Sequence, residues 1–153
     1  MNLPDWVWAR HANPKSGWTR VAITPLLASA IYHRQPRLLL LVLGWTVVNP
    51  VAFSPPENAD SWMTRGVLAE RAWLADGNRT VGTDWPNVLN LANAPVTGYF
   101  LWATLRKRPV HTVLATVLLA GLKLWWVDEI IEETGITEES EIPAAGSQAP
   151  ASR

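Results

Sequence analysis

The sequence predicts an all-α fold: an integral membrane bundle of about four transmembrane helices, with a short interfacial helix at the N-terminus and an amphipathic interfacial helix between spans two and three. Three observations carry this expectation. Four stretches are apolar and almost free of charge, two short basic turns ending in proline join them in pairs, and 10 Trp against 2 Phe and 2 Tyr gather near the stretch ends. Average composition would not decide the matter, because mean hydropathy is only +0.04. The charged residues, 17% of the chain, sit at segment ends and in the last quarter. A soluble bundle needs polar residues at helical spacing on each outer face. The run Leu38 to Leu43 has none, and Val113 to Leu122 offers only Thr116 and Gly121.

The elements follow in order. Asp5-Trp6-Val7-Trp8-Ala9-Arg10 reads as the short interfacial helix. The first span runs from about Trp18 to Tyr32 and the second from Leu38 to Phe53. Between them, His33-Arg34-Gln35-Pro36-Arg37 makes a basic turn whose proline suits the first turn of the next helix, where a missing N–H costs nothing. Ser54-Pro55-Pro56 ends the second span. Asn58, Asp60 or Ser61 can then cap a further helix that Gly77 can stop. At about 100° per residue, Trp62, Met63, Gly66, Val67, Ala69, Trp73 and Leu74 share one side of it, while Asp60, Thr64, Arg71 and Ala75 face away. Such a helix lies at a membrane interface or on a bundle's end.

The third span, Trp85 to Leu105, has the roughly 20 residues that a full crossing needs; the other three are marginal by themselves. Arg106-Lys107-Arg108-Pro109 repeats the basic turn, and the fourth span, Val110 to Val127, continues to Glu133 before Gly135. The two hairpins are candidates for a parallel internal repeat. Residues 1–135 form the expected membrane domain, and 136–153, acidic and then rich in Ala, Pro and Ser, a flexible tail. Trp6, Trp8, Trp18, Trp62, Trp73, Trp85, Trp125 and Trp126 fall at helix ends on one side, where an indole suits the headgroup layer. Short loops with bases and no acids face the cytoplasm. That rule puts turns 33–37 and 106–109 inside, although Arg10, Lys15, Arg20, Arg65, Arg71 and Arg79 collect on the opposite side.

Few residues carry chemistry. Glu70 lies in the apolar arc of its helix, so its carboxylate must be paired, protonated or open to a polar cavity. Lys123 lies inside the fourth span, where it is either a functional group or a lysine that snorkels past Trp126. The same topology puts Glu70 and Lys123 on one membrane side, within ion-pair reach of each other or of Arg20. Asn87, Asn90 and Asn93 recur every three residues in the third span and must face protein or water. Asn49 precedes Pro50, whose ring frees a carbonyl in the preceding turn that Asn49 or Thr46 could help satisfy. Arg20, Asn49, Glu70, Asn87, Asn90 and Lys123 are thus the candidate polar site, functional or structural. The absence of cysteine removes disulfides and thiolate chemistry. His11, His33 and His111 make no metal motif. No phosphate-binding loop and no hydrolase or metalloprotease signature is present. Neither a cofactor nor a metal nor nucleic acid is expected. From Asp128 to Glu141 seven acids stand without a base, leaving the rest of the chain net basic.

Three strings resemble a small family of membrane proteins known only by a domain-of-unknown-function label: Arg10 to Arg20 (RHANPKSGWTR), Asn49 to Pro56 (NPVAFSPP), and Trp62-Met63-Thr64-Arg65 leading to Glu70-Arg71. The likeness covers residues 5–127. It implies a compact helical membrane protein of archaeal or bacterial origin, placed in a prokaryotic plasma membrane, and lends no activity. The functional expectation is a non-enzymatic accessory or scaffold subunit, in contact with the bilayer and with a protein partner or a second copy. The alternative is a membrane-embedded enzyme or transporter for a small lipophilic molecule, using Glu70, Lys123 and the Asn87/Asn90 stripe.

Overall fold

The structure, a computed structural model, describes residues 3–75 and 84–143. Six α-helices and no strand are found among them: α1 (Asp5–His11), α2 (Pro14–Tyr32), α3 (Pro36–Val48), α4 (Trp62–Ala75), α5 (Trp85–Leu105) and α6 (Pro109–Thr134), with a 3-10 turn at Asn49–Val51 extending α3. The stop expected at Gly77 lies outside the described residues. Among the described helices, α6 alone is both long and apolar enough to cross a membrane.

Local chemistry sets the boundaries. Asn13 caps α2 by accepting from Lys15 N–H at 2.9 Å, and Pro14 follows at the first helical position. This cap starts α2 a turn earlier than its apolar stretch does. Gly135 ends α6 in the left-handed region at φ 66°, which a residue without a Cβ adopts freely.

The two basic turns are copies of each other. Arg34 and Lys107 adopt φ 54° and 53°. The following residues reach back five positions: Gln35 N–H donates to Ala30 O at 2.8 Å and Arg108 N–H to Ala103 O at 3.0 Å. This is the Schellman closure of a helix C-terminus. Proline then opens the next helix in both. A non-glycine residue in this region costs about 1 kcal/mol or more, so each turn is held by its hydrogen bonds and by the hairpin it joins.

Packing is uneven along the bundle. The thick core lies at the end away from the turns, where Ala69, Trp73, Leu89, Trp126, Val127 and Ile130 join α4, α5 and α6. Trp8, Ala12, Ala59, Val67 and Leu68 join α1 to α4 beside it, and Ile136 packs against both groups. Toward the turns only a small group remains, Ala28, Phe100 and Ala115. Arg65 reaches Glu138 at 3.2 Å, and Thr137 and Ser140 close a turn on each other. Residues beyond 143 in the expected tail lie outside the described residues.

Two details of the sequence reading are corrected. Trp8, Trp73 and Trp126 are core residues, while Trp6, Trp18, Trp85 and Trp125 stay half-exposed. Thr64 is fully buried and Leu74 exposed, the reverse of their wheel positions, because α4 packs against α1, α2 and α6 together and so has more than one buried side.

Candidate functional site

Close helix approach builds the site. A Cβ on Gly66 would stand 2.5 Å from Val127 Cγ1, and one on Gly17 would collide with the Met63 side chain. These two glycines let α4 settle against α6 and α2. The charges ride on the same faces: Arg20 is three residues after Gly17, Glu70 four after Gly66, and Lys123 four before Val127. Lys123 Nζ lies 3.5 Å from Glu70 Oε1 and 3.8 Å from the centroid of the Trp126 ring, adding a cation–π contact. Arg20 faces the same space, and its buried Nε has no hydrogen-bond partner among the described residues. Together they bound a cavity of about 230 Å³ between α2, α4 and α6, whose walls include Thr24, Leu119, Ala120 and Val127.

The Lys123 and Glu70 side chains are 47% and 21% exposed, so the pair is partly open. Its contribution belongs near the ~1 kcal/mol of a solvated ion pair rather than the 3–5 kcal/mol lost when a buried partner is removed. Two cations face one carboxylate, so the cavity carries a net positive charge.

A second polar cluster joins α1, α2 and the 3-10 turn. Ser16 Oγ donates to Asn49 Oδ1 at 2.8 Å and stands 3.4 Å from His11 Nδ1. Asn49 Nδ2 donates to Thr19 Oγ1 at 2.8 Å. Arg10 Nε donates to Val51 O at 3.0 Å and Asn13 Nδ2 to Ser54 O at 2.9 Å. Asn49 therefore does not serve the carbonyl freed by Pro50. It reaches across to α2, and Thr46 Oγ1 donates to Val42 O instead. The network binds the string Arg10–Arg20 to the string Asn49–Pro56. His11, Ser16 and Thr19 were not among the candidate residues; the one sequence signal for them was that both strings are dense in short polar side chains beside helix ends.

The asparagine stripe stands apart. Asn87 is buried and donates to Asp84 at the start of α5, Asn90 is exposed, and Asn93 donates to Leu89 O within its own helix. Asn87 and Asn90 do not line this cavity, so the structure does not bring them together with Glu70 and Lys123 there. The stripe starts buried at Asn87 in the first turn of α5 and passes to the exposed Asn90. Among the described residues no group of His, Asp and Glu could hold a metal ion.

His11 is buried, and its pKa falls from 6.5 to about 4, first because burial disfavours the imidazolium and then because Arg20 repels it; Glu70 opposes the shift. The unfolded chain binds this proton more readily than the folded one, so stability is complete above pH 6.5 and is lost as pH falls toward 4. The loss is on the order of 3 kcal/mol at the acid end. His11→Gln is expected to abolish this part of the acid sensitivity, read as the difference in melting temperature between pH 7 and pH 4.5 in detergent. An unchanged difference would place the titration elsewhere.

A family model described as a family of unknown function (DUF6653) matches residues 2–145. The match extends beyond the 5–127 of the resemblance and takes in the acidic stretch after α6. No curated protein and no solved structure matches the chain.

Proposed function

The chain belongs to this family of unknown function, and from that premise we propose that it is an integral membrane bundle, with α2, α3, α5 and α6 spanning the bilayer, that serves as an accessory or structural subunit of a membrane complex. The observation that carries the reading is the belt of uncovered aliphatic side chains. Leu40, Leu41, Val47, Leu91, Val113 and Val117 are all more than 60% exposed, on three different helices. A monomer in water rarely leaves contiguous apolar patches beyond a few hundred Å². At 1.5 Å per residue, α2, α5 and α6 extend about 29, 32 and 39 Å, against a hydrocarbon core of about 30 Å. The shorter α3 gains from its 3-10 extension and from Arg37, which can snorkel. The half-exposed Trp6, Trp18, Trp85 and Trp125 mark one interface and the basic turns the other, on the cytoplasmic side of a prokaryotic plasma membrane.

The subunit role rests on α3. Only Val42 of this helix is buried, and Gly44 has open space where a Cβ would be. Small residues let helices approach closely in lipid. A photo-crosslinking residue at Leu40 or Val47, in native membranes, is expected to capture one discrete protein band. Lipid adducts alone would defeat the subunit role. Topology has a separate test, helped by the absence of native cysteine. In intact cells an impermeant maleimide is expected to label Ser140→Cys, and to label Arg34→Cys only after lysis. Protein released by an alkaline wash would overturn the membrane reading itself.

The cavity favours a second reading, a carrier or enzyme for a small lipophilic molecule. Its charged residues are Arg20, Glu70 and Lys123, and the asparagine stripe plays no part.

A further inference from the structure

Beside the charged cavity runs a larger apolar groove of about 440 Å³, between the same helices α2 and α6 and lined by Pro25, Ala28, Tyr32, Val113 and Val117 among others. The two spaces adjoin. Thr24 of the cavity is one helical turn from Ala28 of the groove, and Ala120 of the cavity one turn from Thr116 of the groove. From Lys123 to Pro109 this path follows α6 for about 21 Å. One end is therefore cationic and polar, and the rest is apolar and open to the side.

We propose that this composite site binds a membrane phospholipid with a singly charged phosphodiester head: the phosphate sits between Arg20 and Lys123, and one acyl chain lies in the α2/α6 groove. The proposal rests on the membrane reading above. Charge selects the occupant. Arg20 and Lys123 set against Glu70 leave one positive charge uncompensated, which a monoanion neutralises. The guanidinium has a buried Nε without a partner among the described residues, and a planar guanidinium matches phosphate oxygens. Depth agrees as well: Trp18 and Trp62 lie ring against ring, tilted by 31°, near the same end, at the level where headgroups lie. A zwitterionic head brings an ammonium group of its own to a site that already has two cations.

The test uses the full chain purified in a nonionic detergent. Phosphatidylglycerol is expected to raise the melting temperature by several degrees more than phosphatidylcholine, and to dominate native mass spectra of mixed micelles. Arg20→Gln and Lys123→Gln are each expected to reduce that preference about tenfold, the scale of one charge-assisted contact. Glu70→Gln is expected to strengthen it, because the site then holds two uncompensated cations. This gain cannot arise from misfolding, so the proposal stays testable even if the arginine variant folds poorly. Arg34→Gln with Arg37→Gln, at the basic turn, should leave the preference intact. Equal effects of the two lipids, a preference that follows Arg34 and Arg37, or a weaker preference in Glu70→Gln would each overturn the proposal. So would inorganic phosphate alone reproducing the stabilisation, since the occupant would then be a soluble anion. Failure of the membrane reading is distinct, because it appears as release by the alkaline wash before any lipid is added.

Discussion

Gly66→Leu is expected to cost about 3 kcal/mol or more, at the upper end of what overpacking does to a closed interface. A Cβ alone would stand 2.5 Å from Val127 Cγ1, so the larger side chain must push α4 away from α6. Ala69, Trp73, Val127 and Ile130 share one buried group across that interface and would open together. The Glu70–Lys123 pair would part as well. Gly98 and Gly121 supply the control, since neither has a neighbour within 4 Å of a built Cβ. Replacing either by Ala is expected to be neutral or to stabilise by up to about 1 kcal/mol through helix propensity. Melting curves in detergent check both. Equal effects at Gly66 and Gly98 would mean that α4 is not seated on α6.

Asn49→Leu is expected to cost about 3 kcal/mol. Asn49 is fully buried, accepts from Ser16 and donates to Thr19. A leucine of similar size leaves the Ser16 hydroxyl, also fully buried, without its best acceptor, and stranding a buried polar group costs more than the net value of one hydrogen bond. Ser16→Ala in the same chain should recover part of the loss, and the non-additivity of the two substitutions measures their coupling. Strict additivity would contradict the contact.

Much of the architecture was legible in the chain because helices in this protein are bounded by local signals. Pro36 and Pro109 open helices, Gly135 closes one, and α5 runs from Trp85 to Leu105 as its apolar stretch does. The Glu70–Lys123 approach was legible too, since hairpin topology and helical period put both charges at one end of the bundle. What could not be read was how many neighbours a helix has. A wheel assumes one buried side, and Thr64, enclosed where α4 meets three partners, violates it. The tryptophans near helix ends divided for the same reason: Trp73 and Trp126 face other helices, whereas Trp85 and Trp125 face outward and pack edge to face at 5.5 Å. The Ser16–Asn49–Thr19 network spans about 30 residues of sequence, and no periodicity reports a contact of that range. The apolar pattern marks stretches suited to lipid, but among the described helices α6 alone is both long and apolar enough to cross by itself.

The seating of α4 between α2 and α6 has a consequence for the order of synthesis. The contacts between α2 and α3 can form as soon as that hairpin is made, because they are near in sequence. The contacts of α4 come later: its main partner is α6. Glu70 is translated about 50 residues before Lys123, a delay of roughly 3–10 s at ordinary elongation rates. During that interval α4 can hold α1 and α2 but lacks the wall that α6 supplies. Chains that stop before Lys123 therefore keep α4 packed on α1 and α2 alone, with Glu70 short of its lysine partner.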